Sequence, residues 1–316
     1  MGWNRKYWRL RFHPLTGYGM PYKDDDYYQV YMKNSSENFV FLVDHLQDVF
    51  EVKIGALELG VREGMNVEKM KPYVEWMNGF NWELGKIPAL RVVSSRNELS
   101  LKFLLENLKQ GVERMDIEVL YCRNPIKCSS VNFKVDVLTG NGEEWLATET
   151  MKSIDPIRMD LRETHLSNLD MNQFLRSWKE GTSNGRIQEI RLPLKERVKW
   201  RTMLDGLDAE LGDFRRTRKT FRFTNDNQLY QLHGGFDITR ADGRMATIGH
   251  HGYNLSHEDN PWQQFEIEEC ARISRVWNLE ESDEEDEIEK GDGQGYIEWI
   301  KRYRREERRN IFMIVW

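Results

Sequence analysis

Five times along the chain an apolar residue is followed, after two variable positions, by an apolar-x-apolar pair. The copies are Val49-x-x-Val52-x-Ile54, Ile87-x-x-Leu90-x-Val92, Val112-x-x-Met115-x-Ile117, Ile154-x-x-Ile157-x-Met159 and Ile187-x-x-Ile190-x-Leu192. The alternating pair is what a half-buried strand shows, and the whole spacing is that of a degenerate leucine-rich-repeat strand. Segments of helical spacing lie between the copies: "NVEKMKPYVEWMNGF", "NELSLKFLLENLKQG", "EEWLATETMKSI" and "LSNLDMNQFLRSWKEG". In the last, Ser167 is placed to cap and Asp170 completes a shortened capping box. Met171, Phe174, Leu175 and Trp178 then form one apolar stripe, and Gly181 stands where a left-handed terminal residue belongs.

Strand, helix and strand in this order predict parallel strands joined by helical crossovers, because parallel pairing needs a long connection. The expected fold class is α/β: an irregular leucine-rich-repeat-like solenoid, with a plain open α/β sheet as the alternative. The copies recur at intervals of about 25 to about 42 residues, against roughly 20–29 in a regular repeat, hence the irregularity. "YCRNPIKCSSVNFKVDVLTGNGEEW" is added material, with an extra edge strand expected over Val131–Leu138.

From about Asp213 the pattern changes. "GGFDITRADGRMATI" alternates, turns at Asp242-Gly243 and alternates again, as an antiparallel hairpin does. "WQQFEIEECARISRVW" is expected to add one more strand, completing a β-rich cap of the kind solenoids need. The organisation expected is an N-terminal strand, loop and entry-helix segment over 1–48, the α/β array over 49–212 and the β-rich part over 213–278. An acidic linker over 279–295 and a basic tail helix with an apolar end over 296–316 follow. Whether residues from Gly291 onward join the folded body is left open.

Composition changes this picture little. A net charge of −6 with a pI near 5.8 gives no global attraction to nucleic acid. Three cysteines build no disulfide framework, which points to a reducing compartment, cytoplasmic or nuclear. No signal-peptide run and no membrane-spanning stretch is read.

Candidate chemistry is sparse. His250, His251, His257 and Glu258 with Cys270 match no metal-ligand spacing and read as loop histidines; Cys122 and Cys128 read as free thiols. No phosphate-binding loop, nucleophile elbow or catalytic set is found, so no enzyme, no cofactor and no metal are expected. The strand face is the better candidate. The residues between the last two apolar positions of each copy are Lys53, Arg91, Asp116, Arg158 and Arg191, four of them basic. Such a face is expected either to bind an acidic or phosphorylated partner segment through bidentate arginines or to be an ordinary solvated surface. With "KRYRREERR" in the tail it also supports a second function, nucleic-acid association.

The stretch Leu166 to Leu192 resembles the core of the nematode F-box-associated domain of type 2. The residues that carry the resemblance are Ser167, Asp170, Asn172, Phe174, Leu175, Trp178 and Gly181. "ELSLKFLLENLK" resembles the family's upstream helix. Gly235, Asp237, Ile238, Gly243, Ala246, Thr247 and Ile248 lie in a segment that resembles its closing motif. The resemblance implies a substrate-recognition module of a cullin–RING ubiquitin ligase complex, with an unidentified protein substrate as partner. Family members carry an N-terminal F-box that docks on a Skp-type adaptor and cullin. Here "MGWNRKYWRLRFHPLTGYGMPYKDDDYYQVYMKN" has Gly and Pro punctuation that reads as strands and loops. Adaptor and cullin are therefore expected only if a cryptic or missing F-box exists; a free-standing binding domain is the other expectation.

Overall fold

The computed structural model describes residues 7–12, 28–33, 43–45, 54–61, 65–82, 84–121, 125–128, 130–142, 145–216, 218–222, 229–250, 254–257, 264–278 and 309–316. It shows a mixed α/β chain in two compact units, Met1–Pro156 and Ile157–Trp316. Val49, Val52, Lys53, Cys122, His251, Glu258, the acidic linker and the basic tail helix lie outside the described residues, as does all but the end of the 296–316 segment.

In the N-terminal unit, β1 (Tyr7–Phe12) and β2 (Tyr28–Lys33) pair antiparallel. Then come β3 (Leu57–Val61), α1 (Val67–Gly79), β4 (Lys86–Ser95), α2 (Glu98–Asn107), β5 (Gly111–Leu120), β6 (Val135–Gly142) and α3 (Thr148–Ser153). Strands β3 to β6 are parallel, each paired with the next. The recurring spacing has a direct cause. Ile87, Leu90 and Val92 of β4, and Val112, Met115 and Ile117 of β5, all point into the core, with two residues skipped before strict alternation begins. The helices start where expected: Asn66 and Asn97 accept backbone N–H groups at the first turns of α1 and α2.

Two expectations are corrected here. The first strand of the parallel array is Leu57–Val61, whose Leu57, Leu59 and Val61 alternate inward, so the copy Val49-x-x-Val52-x-Ile54 is not that strand. The added strand is shifted to Val135–Gly142 and runs parallel to β5 in full register, from Val112 opposite Val135 to Glu118 opposite Asn141. Gly140 allows this approach. At φ +134° it takes a backbone shape L side chains rarely adopt, and a Cβ there would overlap the Ile117 carbonyl oxygen.

The C-terminal unit opens with β7 (Arg158–Thr164), α4 (Asn168–Lys179), β8 (Glu189–Pro193) and α5 (Trp200–Leu204). β9 (Glu210–Gly212), β10 (Arg218–Arg222), β11 (Leu229–His233), β12 (Gly235–Thr239), β13 (Met245–His250) and β14 (Leu255–His257) follow, then α6 (Gln264–Asn278) and β15 (Asn310–Val315). Strands β7 and β8 are parallel. The parallel array stops there: β8 pairs antiparallel with β15, β15 with β13, β13 with β12, and β12 with β9. Strands β10, β11 and β14 form a separate antiparallel sheet. The structure thus supports a mixed α/β fold with parallel strands and helices, and a β-rich part from β9 onward.

The segment expected as a last strand of that part is the helix α6. Its Ile267, Cys270, Ala271 and Ile273 recur at helical spacing; Cys270 and its neighbours pack on Phe214, and Trp277 meets Phe236 at 4.8 Å. The apolar end of the chain joins the fold as β15, between β8 and β13. Ile311, Phe312, Met313 and Ile314 are all buried, which is why the run reads apolar at four successive positions. On one face Phe312 and Ile314 pack with Tyr230, Leu232 and Leu255 of the separate sheet. Phe312 lies opposite Gly249, and a Cβ at Gly249 would overlap its ring. Phe312→Ala is therefore expected to cost about 3–5 kcal/mol in urea unfolding; a loss below about 1 kcal/mol would show that β15 does not hold this sheet together.

Candidate interaction surface

One face of β3–β6 is buried. The other is exposed or half-buried, and register alignment sets its rows. Glu58, Arg91, Asp116 and Thr139 stand side by side, one from each strand. Gly60, Val93, Glu118 and Asn141 form the next row toward the strand C-termini, and Ser95 and Leu120 the one after. Arg91 is the hub. Its Nη2 donates to Glu118 Oε2 at 2.9 Å, with Asp116 Oδ2 at 3.6 Å and Glu58 Oε2 at 3.8 Å. The hydrogen bond to Glu118 does most to hold the guanidinium above its ordinary pKa. Asp116 also accepts from the Thr139 hydroxyl at 3.3 Å.

The sequence expectation of a basic stripe is thus corrected. Arg91 and Asp116 do come together, but Arg91 is surrounded by three carboxylates. Lys53 is outside the described residues, and the position beside Arg91 on β3 belongs to Glu58. The alternation Leu57-x-Leu59-x-Val61 was the signal that would have found it.

In the C-terminal unit the register also differs from the expected one. Arg191 lies opposite Asp160, and Arg158 opposite Glu189. The four form a square of alternating charge. Glu189 Oε1 is 3.2 Å from Arg158 Nε and 2.9 Å from Arg191 Nε, while Asp160 Oδ2 is 3.3 Å from Arg158 Nη2 and 3.4 Å from Arg191 Nη2. The Glu189 side chain is 6% exposed and that of Arg158 11%. Charges so buried are matched internally and offer little to a partner. Burial pushes the Glu189 carboxyl up to about 7, against the pull of Arg158 and Arg191.

The family-motif residues are scaffold, each with a physical task. Ser167 and Asp170 form the reciprocal capping box of α4. Asn172 donates to the Met203 and Asp205 carbonyls at 3.0 and 2.9 Å, tying α4 to the C-terminal end of α5. Phe174, Leu175 and Trp178 are fully buried. Gly181, at φ +79°, ends the helix beside Arg240. Arg240 stacks on the Trp178 ring at 5.5 Å and donates to the Ser183 carbonyl and to Asp242 at 3.1 Å each, so the two motifs interlock. In the second motif Asp237 takes both oxygens to Lys219 Nζ at 3.0 Å and accepts the Thr247 hydroxyl, while Trp316 Nε1 donates to Thr247 at 2.8 Å. Ile238, Ala246 and Ile248 are buried. Gly243 (φ +88°) makes the hairpin turn and Gly235 (φ +94°) the tight approach to Thr247.

No group of three or more His, Cys, Asp or Glu placed to hold a metal is found among the described residues. Burial raises the Cys128 thiol to about 11 and the Cys270 thiol to about 12, and lowers His233 to about 4. These thiols are poor nucleophiles near neutral pH. No helix among the described residues is long and apolar enough to cross a membrane.

Residues 125–192 match the family described as F-box associated. This chain carries an F-box-associated segment. It takes in β6, α3, β7, α4 and β8, and so includes the motif on α4 that carried the resemblance in the sequence. An uncharacterized protein of Caenorhabditis elegans is 24% identical over 142 residues, covering 43% of this chain and 33% of the relative. The match thus spans about a third of that relative's length. No solved structure matches the chain.

The Glu189 carboxyl yields a signed prediction. Its folded pKa of about 7 lies above the ordinary 4.5. Its contribution to stability is complete below pH 4.5 and is lost as pH rises through 7. Compared with Glu189→Gln, the wild type is expected to lose on the order of 1 kcal/mol per pH unit, at most, across that window in denaturant titrations. Parallel curves for the two proteins would place the Glu189 proton elsewhere.

Proposed function

We propose that this chain is a protein-interaction module that holds a partner protein for a cullin–RING ubiquitin ligase and performs no chemistry of its own. The observation that carries this reading is the match of residues 125–192 to the F-box-associated family. Nucleic-acid association is the weaker reading: Arg91, Arg158 and Arg191 each face carboxylates, so the stripe lacks the free positive charge phosphate contacts need. The compartment that fits is the cytoplasm or nucleus.

The test is capture of partners by the full chain from nematode lysate, read by mass spectrometry at low and high salt. Recovery of the Skp-type adaptor and cullin is the expected result if the chain docks on the ligase. A reproducible protein partner without them would make it a free-standing binding module. Nucleic acid as the only enriched species, lost as salt rises, would overturn the reading.

A further inference from the structure

We infer that the open face of β3–β6 is a docking surface for an extended, basic segment of a partner protein. The inference rests on the interaction-module reading and names the surface and the partner's chemistry. Three features carry it. The opposite face is sealed by core residues such as Leu59, Leu90, Ile117 and Leu138, whereas this face is exposed or half-buried from Glu58 to Asn141. A face of parallel strands left open in this way departs from the usual α/β arrangement, in which both faces are covered.

Charge complementarity selects the occupant. Glu58, Asp116 and Glu118 surround one guanidinium, so three carboxylates share a single central cation. Only one of the three contacts, Glu118 with Arg91 at 2.9 Å, is a close hydrogen bond; the others stand at 3.6 and 3.8 Å. Carboxylate oxygens therefore keep capacity to accept from an incoming lysine or arginine. Arg91 fixes their positions and competes with the incoming cation. Arg114 lies one row toward the strand N-termini and Arg96 beyond the strand C-termini, so the acidic centre between them receives the basic side chains.

The third feature is apolar contact at that same end. Val93 is half-buried on the face, Leu120 is 40% exposed and Tyr121 65%. Tyr121 is held at φ +61° and lies under the Arg96 guanidinium at 5.4 Å, and Arg96 itself sits at φ +51°. Two adjacent strands thus end in left-handed residues other than glycine, a backbone state that costs of order 1 kcal/mol or more each and clusters at binding rims. The surface pairs acidic acceptors with an aromatic and aliphatic rim, which suits a chain alternating lysine or arginine with apolar residues.

The experiment uses the full chain and two labelled peptides read by fluorescence anisotropy: one of lysine alternating with threonine and valine, and its glutamate counterpart. The lysine peptide is expected to bind and the glutamate peptide not to. The near-isosteric triple change Glu58→Gln, Asp116→Asn, Glu118→Gln is expected to weaken binding by about fivefold or more. Arg91→Ala, which removes the competing cation, is expected to strengthen it by about threefold. Glu68→Gln with Glu75→Gln, on exposed α1, alters overall charge away from the face and is expected to leave binding within about twofold.

Equal weakening by the α1 pair, weaker binding by Arg91→Ala, or preference for the glutamate peptide would overturn the surface. Capture from lysate separates this failure from failure of the broader reading. If the triple variant captures the same proteins as the wild type, the module stands and this face falls. If the wild type captures no protein, the broader reading falls, and the peptide result decides the face by itself.

Discussion

Strand β8 cannot stand at the edge of its sheet. Ile190 and Leu192 bury one of its faces and Glu189 and Pro193 the other, and its backbone groups need partners that water cannot supply there. The last residues of the chain supply them. Strand β15 bonds β8 on one side and β13 on the other, so the parallel pair β7–β8 and the hairpin β12–β13 become one sheet. Phe312 and Ile314 then carry the sheet's contact with β10, β11 and β14. In this unit the order of strands, the burial of the Arg158–Glu189 square and the place of the separate sheet all follow from that insertion.

The interlock of the two family motifs is a second consequence. Trp178 on α4 and Arg240 after β12 are far apart in sequence, yet the guanidinium covers the indole and its hydrogen bonds fix the turn after Gly181. Ala241 donates its N–H to the Lys179 carbonyl at 2.7 Å, closing the same corner. The residues that carried the resemblance therefore hold this corner of the fold together.

On the open face of β3–β6 the arithmetic of charge depends on register. Counting one residue per strand from the apolar spacing gave four basic positions. The pairing of Arg91 with Glu58 and Asp116, and of Arg191 with Asp160, turns the same strands into matched or acid-rich rows. Since side chains alternate with period two, an error of a strand's placement by a few residues exchanges the whole row.

What the sequence determined by itself is local. The spacing Ile87-x-x-Leu90-x-Val92 placed β4, the capping box Ser167–Asp170 placed α4, Asp242-Gly243 placed a hairpin turn, and the motif residues announced the F-box-associated segment. Each depends on neighbours within a turn or a strand, so the chain states it directly. The tertiary structure decided the rest. It chose which strands neighbour each other, and so which charges face. It drew the apolar run "IFMIV" into the sheet as β15, since such a run gains most where both its faces are covered. It made "QFEIEECARISRVWN" a helix because Ile267, Cys270 and Ile273 find Phe214 and Phe236 on one side only. Period and partner surface are joined there, and only the folded chain shows the partner.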